Sequence, residues 1–358
     1  MFAYWLVLLI VILLASLEKV NSSVNSKLTF SRLPFSWVFA FLLIVCFIGL
    51  RFEVGGDWDA YLTHFNRVSS LGFIQVLLLN DPGYQVLSYI ADAFGGSIIN
   101  VNLMAGLIFT IGLMTLCTNQ PRPMLSLVTA LPYMTIVLAM GYTRQACALG
   151  FAMIAIQSLI HKTIFKFSVW IIIAALFHKS AVLLIPVAAL LSSRSKIISI
   201  IWVGLAAVFS YFTLLSDSVE HLYSNYVESG YQSQGAMIRI AMCLLPSVLY
   251  LYYRDKFTMT EKEKQLWLWF SLASIIAFVL LFISSASTAI DRVALYLLPI
   301  QLVIFSHIPE VLGKVGKSNS HWVWLICLYY ALVQFVWLFF ASHNFAWLPY
   351  QFYPFTLL

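Results

Sequence analysis

The chain is a series of apolar runs, most of them close to the length of a bilayer-crossing helix. Such a helix needs about 20 residues, with a range of roughly 17–25. Runs of this kind occupy 1–17, 35–50, 98–117, 125–141, 146–160, 197–216, 237–253, 266–286, 292–312 and 321–341. A water-soluble core has no use for so many in succession. Composition agrees, with 62% hydrophobic and 9% charged residues, where a soluble domain is nearer about 25% charged. These features exclude a soluble globular fold, a disordered chain and a nucleic-acid-binding module. The expectation is an all-α polytopic membrane protein with about 10 spanning helices, housed in the lipid bilayer. Internal repeats and linkers are not evident, so residues 1–358 read as a single integral membrane domain.

The net charge of +6 is then no nucleic-acid footprint. What matters is the side of the membrane each charge occupies. Lys19, Lys27 and Arg32; Arg122; Lys162 and Lys166; Arg194 and Lys196; Arg254, Lys256, Lys262 and Lys264; and Lys314 and Lys317 fall in loops that should share the cytoplasmic side. All of them do so only if 164–191 enters the membrane and returns as a hairpin, with His178 near its tip. Both termini then lie outside. The N-terminal run lacks a basic leader and a small-residue cleavage site, so it reads as a first helix rather than a signal peptide.

The remaining basic residues are Arg51, Arg67, Arg144, Lys179, Arg239 and Arg292. Arg51, Arg144, Arg239 and Arg292 each fall at the outer end of a predicted helix. Guanidinium binds phosphate or carboxylate bidentately and keeps its charge when desolvated. Several at one depth suggest an anion site; snorkelling to lipid headgroups is the alternative.

Two outer segments, 51–97 and 217–236, carry most of the polar residues and are expected to hold short helices. Gly55–Gly56 permits a tight turn, and Asp57 can cap the helix that follows. Asp57, Tyr61 and His64 share one face of that helix at i, i+4 and i+7. Asp81–Pro82–Gly83 starts another short helix with Asp81 near its N-cap. The apolar stretch 71–79 suits the membrane interface. Tyr223, Tyr226 and Tyr231, among amides and hydroxyls, suit either an aromatic belt or sugar contacts. The aromatic tail after His343 is too short to cross again and should lie on the outer rim or over a cavity mouth.

Cys46, Cys117, Cys147, Cys243 and Cys327 lie in apolar runs without CxxC spacing, which argues for small buried hydrophobes. The seven histidines are scattered, and none pair at metal-ligand spacing, so no metal is expected. There is no GxxxxGK[ST] loop, GxGxxG turn or HExxH pattern, and no cofactor is expected.

Six short pieces in order resemble the EpsG family of Wzy-type polymerases of bacterial surface polysaccharides. They are Arg51–x3–Gly55–x–Asp57–x3–Tyr61, Asp81–Pro82–x–Tyr84, Arg144–Gln145, Phe177–His178–x–Ser180, Arg292–x3–Tyr296 and Trp347–Leu–Pro–Tyr350. Two positions depart from the usual pattern: Gly56 stands where Thr is common, and Asp81 where Glu is commoner. The resemblance implies a GT-C-like glycosyltransferase of the bacterial inner membrane, active on the periplasmic side. Such an enzyme joins oligosaccharide repeat units carried on undecaprenyl diphosphate, and a chain-length regulator is a conceivable protein partner. A transporter or flippase of lipid-linked sugar, and a membrane O-acyltransferase that modifies polysaccharide, are the alternatives.

The implied reaction needs a base for a sugar hydroxyl and a counter-charge for a departing diphosphate. Arg51, Arg144 and Arg292 are the candidate diphosphate clamp. His178 or Asp57 is the candidate catalytic base. A structural histidine at 178, and a capping or Arg-orienting carboxylate at 57, are the competing readings. Tyr61, Asp81, Tyr84, Gln145 and Tyr296 are expected to contact sugar or to hold the arginines.

Overall fold

A bilayer core offers the backbone no hydrogen-bond partner, so apolar runs satisfy their own amides as helices. The computed structural model describes residues 1–18, 34–161, 163–191, 201, 235–283, 287–314 and 317–357, and they are almost wholly helical. The protein is an all-α polytopic membrane protein. Among the described residues, five helices are long and apolar enough to cross a membrane. They are α6 (Ile98–Cys117), α8 (Thr143–Ile160), α11 (Ala236–Tyr253), α12 (Glu261–Ile283) and α15 (Ser320–Phe340). Shorter apolar helices join them: α1 (Phe2–Leu17), α2 (Phe35–Gly49), α7 (Pro123–Ala130, extended by a π-helical stretch to Ala139), α9 (Ile164–Phe177) and α14 (Pro299–Leu312). The expected span 197–216 and outer segment 217–236 lie outside the described residues, except for Ile201, Gly235 and Ala236.

One expected span is wrong in form. Residues 292–312 are not one helix but α13 (Ser287–Leu295) and α14, separated at Tyr296–Leu298. Pro299 occupies the first turn of α14, where its missing N–H costs nothing and its fixed φ starts a helix rather than continuing one. The break leaves Arg292 and Tyr296 on a short separate element.

The helix directions follow from contacts at the two ends of the bundle. At one end, the Glu18 carboxylate accepts from Met124 N, Arg122 pairs with Glu310 at 2.8 Å and donates to Lys317 O, and Lys262 Nζ donates to Leu159 O. The loops bearing Arg122, Lys262, Lys264, Lys314 and Lys317 therefore gather at one end, as the charge pattern required. At the other end, Tyr4, Phe47, Arg51, Asn102, Thr143 and Trp347 meet.

The hairpin expectation fits these directions. α9 starts beside the end of α8, where Thr163 Oγ1 donates to Ser158 O, and ends at His178, beside Gln145 near the start of α8. His178 is extended (φ −160, ψ 119) and breaks the helix; a 3-10 turn (Lys179–Leu184) and α10 (Ile185–Leu191) follow. α11 starts at the same end of the bundle as His178.

Among the described residues, four short helices and a strand pair frame the polar end. These are α3 (Trp58–Val68), α4 (Phe73–Leu77), α5 (Pro82–Ala93) and, at the tail, α16 (Tyr353–Thr356). Strand β1 (Arg51–Phe52) pairs antiparallel with β2 (Gln351–Phe352). The tail thus folds back over the start of the outer segment. Trp347 is buried, with Nε1 donating to Ile136 O at 2.9 Å, and Gly55 N donates to Ala346 O at 2.8 Å. Gly55 has φ +114, and a Cβ there would lie 2.3 Å from Met140 O. Only glycine fits that turn. Deeper in the bundle α6 and α8 cross at Gly112 and Gly150, where a Cβ on Gly112 would sit 2.0 Å from Gly150 O. Such close backbone approach between membrane helices relies on small residues.

Candidate functional site

The three arginines expected to act together differ in kind. Arg51 is 1% exposed. Its Nε donates to Val54 O at 3.1 Å and Nη1 to Ile48 O at 2.6 Å, while Nη2 donates to Asn102 Oδ1 at 3.0 Å and Thr143 Oγ1 at 2.9 Å. Four of the five guanidinium N–H groups are thereby committed. Arg51 ties α2, the outer segment, α6 and α8 into a frame, and its fork is turned inward rather than toward a ligand. This corrects the grouping of Arg51 with a ligand-facing clamp.

Arg144 and Arg292 stand on that frame. Arg144, in the first turn of α8, pairs with Asp81 at 2.8 Å, and its guanidinium carbon lies 5.7 Å from the centre of the Tyr61 ring. Its side chain keeps 32% of its exposure. Arg292 on α13 is exposed and forms no ion pair or hydrogen bond among the described residues. Both act electrostatically on Asp57, Asp81 and His178, and Lys179 acts on Asp81 as well. The outer segment, the start of α8, the hairpin tip and α13 therefore converge on one locus. They bring together Asp57, Asp81, Arg144, His178, Lys179 and Arg292.

Asp57 occupies the N-cap position of α3, yet its side chain makes no capping bond. The capping explanation for this residue therefore fails. Its half-buried carboxylate has no hydrogen-bond partner among the described residues. Burial pushes the Asp57 carboxyl above its ordinary range, opposed by Arg144 and Arg292. Asp81 is left-handed at φ 54 and also makes no cap bond; its carboxylate goes to Arg144 instead. Burial raises its carboxyl too, with Arg144, then Lys179 and Arg292, pulling it back.

His178 is held on both ring nitrogens, with Nε2 3.1 Å from Gln145 Nε2 and Nδ1 2.5 Å from Ser180 Oγ. Ser180 in turn donates to the Tyr296 hydroxyl at 3.2 Å.

Tyr61, Tyr84 and Tyr296 are 4%, 1% and 3% exposed, so they wall the site rather than face a sugar. Tyr61 supports Arg144 by its ring and accepts from Arg144 N at 3.4 Å, and it packs on Tyr84 with ring centres 5.2 Å apart. Gln145 remains half-buried and reachable.

Three participants escaped the sequence reading. Ser180 was visible only as part of a motif. Lys179 was placed at the hairpin tip without a role. Asp291 pairs with Arg239 at 2.5 Å, both nearly buried, with Tyr133 also on Arg239. That pair pins α13 to α11 and so fixes where Arg292 projects. Arg239 is thus a buried tether rather than a rim cation. The adjacency Asp291–Arg292 was the only available signal.

Fold and site together define an all-α polytopic membrane protein that gathers cations and carboxylates at one end of its helices. The chain belongs to the EpsG family, described as such, whose model matches residues 35–352. That span contains all six motif pieces. Membership gives it a polysaccharide-polymerase-like function of the glycosyltransferase kind. No curated protein and no solved structure matches the chain.

Proposed function

We propose that the protein joins undecaprenyl-diphosphate-linked oligosaccharide repeat units on the periplasmic face of the bacterial inner membrane. The observation that carries this reading is the convergence of Arg144, Arg292 and Lys179 on Asp57, Asp81 and His178 at the end of the bundle remote from the lysine-rich loops. The positive-inside rule puts those loops in the cytoplasm and the site outside.

In this mechanism a sugar hydroxyl of the acceptor unit gives its proton to His178 Nε2. Its oxygen bonds to the anomeric carbon of the donor chain, and the bond from that carbon to the diphosphate oxygen breaks. The diphosphate leaves with the electron pair. Arg292, Lys179 and Arg144 balance its charge, as a metal does in other phosphate sites. The Asp57 carboxylate, with no hydrogen-bond partner among the described residues, faces the positive charge that develops on the donor sugar. Gln145 holds the place of the incoming hydroxyl.

The test is to incubate purified protein with a lipid-linked repeat unit and nothing else. Polymer formed without an added nucleotide sugar or acyl donor supports the reading. Absence of polymer, with the lipid-linked unit merely moved across a vesicle membrane, overturns it in favour of a transporter.

A further inference from the structure

We propose that Arg51, Asn102 and Tyr84 form a buried site for a small monovalent anion, chloride, behind the outward-facing cations. A charge taken out of water is costly unless an opposite charge answers it. Arg51 is 1% exposed, and its bonds to Ile48 O, Val54 O, Asn102 Oδ1 and Thr143 Oγ1 all go to neutral oxygens. The groups acting most strongly on it are the tyrosines Tyr84, Tyr61, Tyr350 and Tyr4, not carboxylates. The Asp81 carboxylate is engaged by Arg144. Among the described residues, the Arg51 cation therefore has no counter-ion.

The helix ends around it add to the positive potential. Arg51 closes the C-terminal end of α2 through Ile48 O at 2.6 Å, and that end carries about half a negative charge. Against it stand three N-terminal ends of the opposite sign. Tyr84 and Thr143 lie in the first turns of α5 and α8, and Asn102 lies one turn into α6. Cys147, one turn after Thr143, has Sγ 3.9 Å from Ala105 O, near Asn102 on α6. Tyr84 interacts electrostatically with both Cys147 and Arg51, so its hydroxyl lies at this α6–α8 seam.

Donors at this seam are left over. Tyr84 Oη and Asn102 Nδ2 are buried and make no hydrogen bond among the described residues. The Asn102 amide has a fixed sense, because Arg51 only donates and so must face Oδ1. The amide NH2 is then a donor without an acceptor, and the Tyr84 hydroxyl can donate beside it. A water would accept two such bonds, would need acceptors for its own hydrogens, and would leave the charge unanswered. An anion accepts every bond and neutralises Arg51. A sugar-linked diphosphate has no entry, since Arg51, Tyr84 and Asn102 are each 1% exposed. A single small ion fits both the charge and the burial. Bound there, it would lock α5, α6 and α8 beneath Arg144, which directly follows Thr143.

The test is the thermal midpoint of the purified full-length protein in detergent, titrated with sodium chloride or bromide against sodium gluconate at constant ionic strength. No lipid-linked sugar is added, so the outcome is independent of the polymerase reading. The midpoint should rise saturably with either halide, by about 5 °C at about a hundredfold over the dissociation constant, and not with gluconate. Tyr84→Phe should raise the halide concentration needed by about tenfold, through the loss of one bond to a charge. Asn102→Asp sets a carboxylate of the same shape against Arg51. It should melt at or above the parent in gluconate and ignore halide. Arg292→Ala, among the outer cations, should respond as the parent does. If Asn102→Asp does not accumulate, Tyr84→Phe, which removes a single oxygen, carries the test. Equal parent midpoints in chloride and gluconate would overturn the site. So would a halide response that Tyr84→Phe and Asn102→Asp leave unchanged, or one that Arg292→Ala abolishes.

Discussion

Replacing Arg51 should damage the fold, whereas replacing Arg292 should damage only the chemistry. Arg51→Ala removes the donors to Ile48 O, Val54 O, Asn102 Oδ1 and Thr143 Oγ1 in a site 1% exposed to solvent. Each buried acceptor left without a partner costs about 1–3 kcal/mol. Removing the cation also removes its own burial cost, so the lower figure applies, and four acceptors give about 4 kcal/mol. At about 2 °C per kcal/mol for a large chain, the melting midpoint should fall by roughly 8 °C. Arg51→Lys should fall by about half as much, since one ammonium cannot reach α2, α6 and α8 together. Arg144→Ala breaks one partly exposed ion pair worth about 1 kcal/mol or less after solvent screening. Arg292→Ala breaks none among the described residues and should melt with the parent. The assay is loss of monodisperse protein after heating in detergent, set beside the polysaccharide ladder in cells. Arg292→Ala should be stable and without long chains. A parent-like midpoint for Arg51→Ala, or equal losses for Arg51→Ala and Arg292→Ala, would refute this division of labour.

Asp57→Asn should raise the melting midpoint slightly at pH 7 while abolishing polymer. The folded carboxyl titrates above its unfolded value, so its charge is a burden near neutral pH. That burden vanishes as pH falls through the folded and then the unfolded value of about 4, and the gain from Asn should vanish with it when melts at the two pH values are compared. Gly55→Ala should cost about 2 kcal/mol or more, because φ is +114 and the added carbon meets Met140 O at 2.3 Å. Its midpoint should drop without a change in membrane insertion, as judged by fractionation. Trp347→Ala should cost about 3–5 kcal/mol through the cavity left against Gly141 and the loss of the bond to Ile136 O. Greater protease sensitivity of the tail would report it.

Length and apolarity made the helices legible, and charge placement made their directions legible, because a bilayer penalises both errors heavily. The break at Tyr296–Leu298 was harder to read. Hydropathy continues through it, and only Pro299 marks it. The locus was legible as a set of arginines at one depth, but depth does not say which way a side chain turns. Arg51 and Arg292 look alike in the sequence. One is consumed by two carbonyls, Asn102 and Thr143, while the other has no hydrogen-bond or ion-pair partner among the described residues, and the packing of α6 and α8 decides the difference. Asp57 illustrates the reverse case. Its position before α3 suited a cap, yet the turn at Gly55 leaves the carboxylate facing Arg144 and Arg292. The tyrosines were expected to contact sugar or to hold the arginines; Tyr61 lies against Arg144, while Tyr84 packs on Tyr61 and Tyr296 bonds Ser180.

The pairing of β1 with β2 has a consequence for how the protein comes into being. The hydroxyl of Tyr4 donates to Trp347 O across 343 positions of sequence, and Gly55, two residues before Asp57, is secured by Ala346. Membrane insertion proceeds from the N-terminus, so every helix through α15 can be in place while the outer segment is still unlatched. The strand pair at Arg51–Phe52 can form only after Gln351 and Phe352 have followed. A chain truncated before Ala346 would thus hold its helices in the membrane with the turn at Gly55 unlatched.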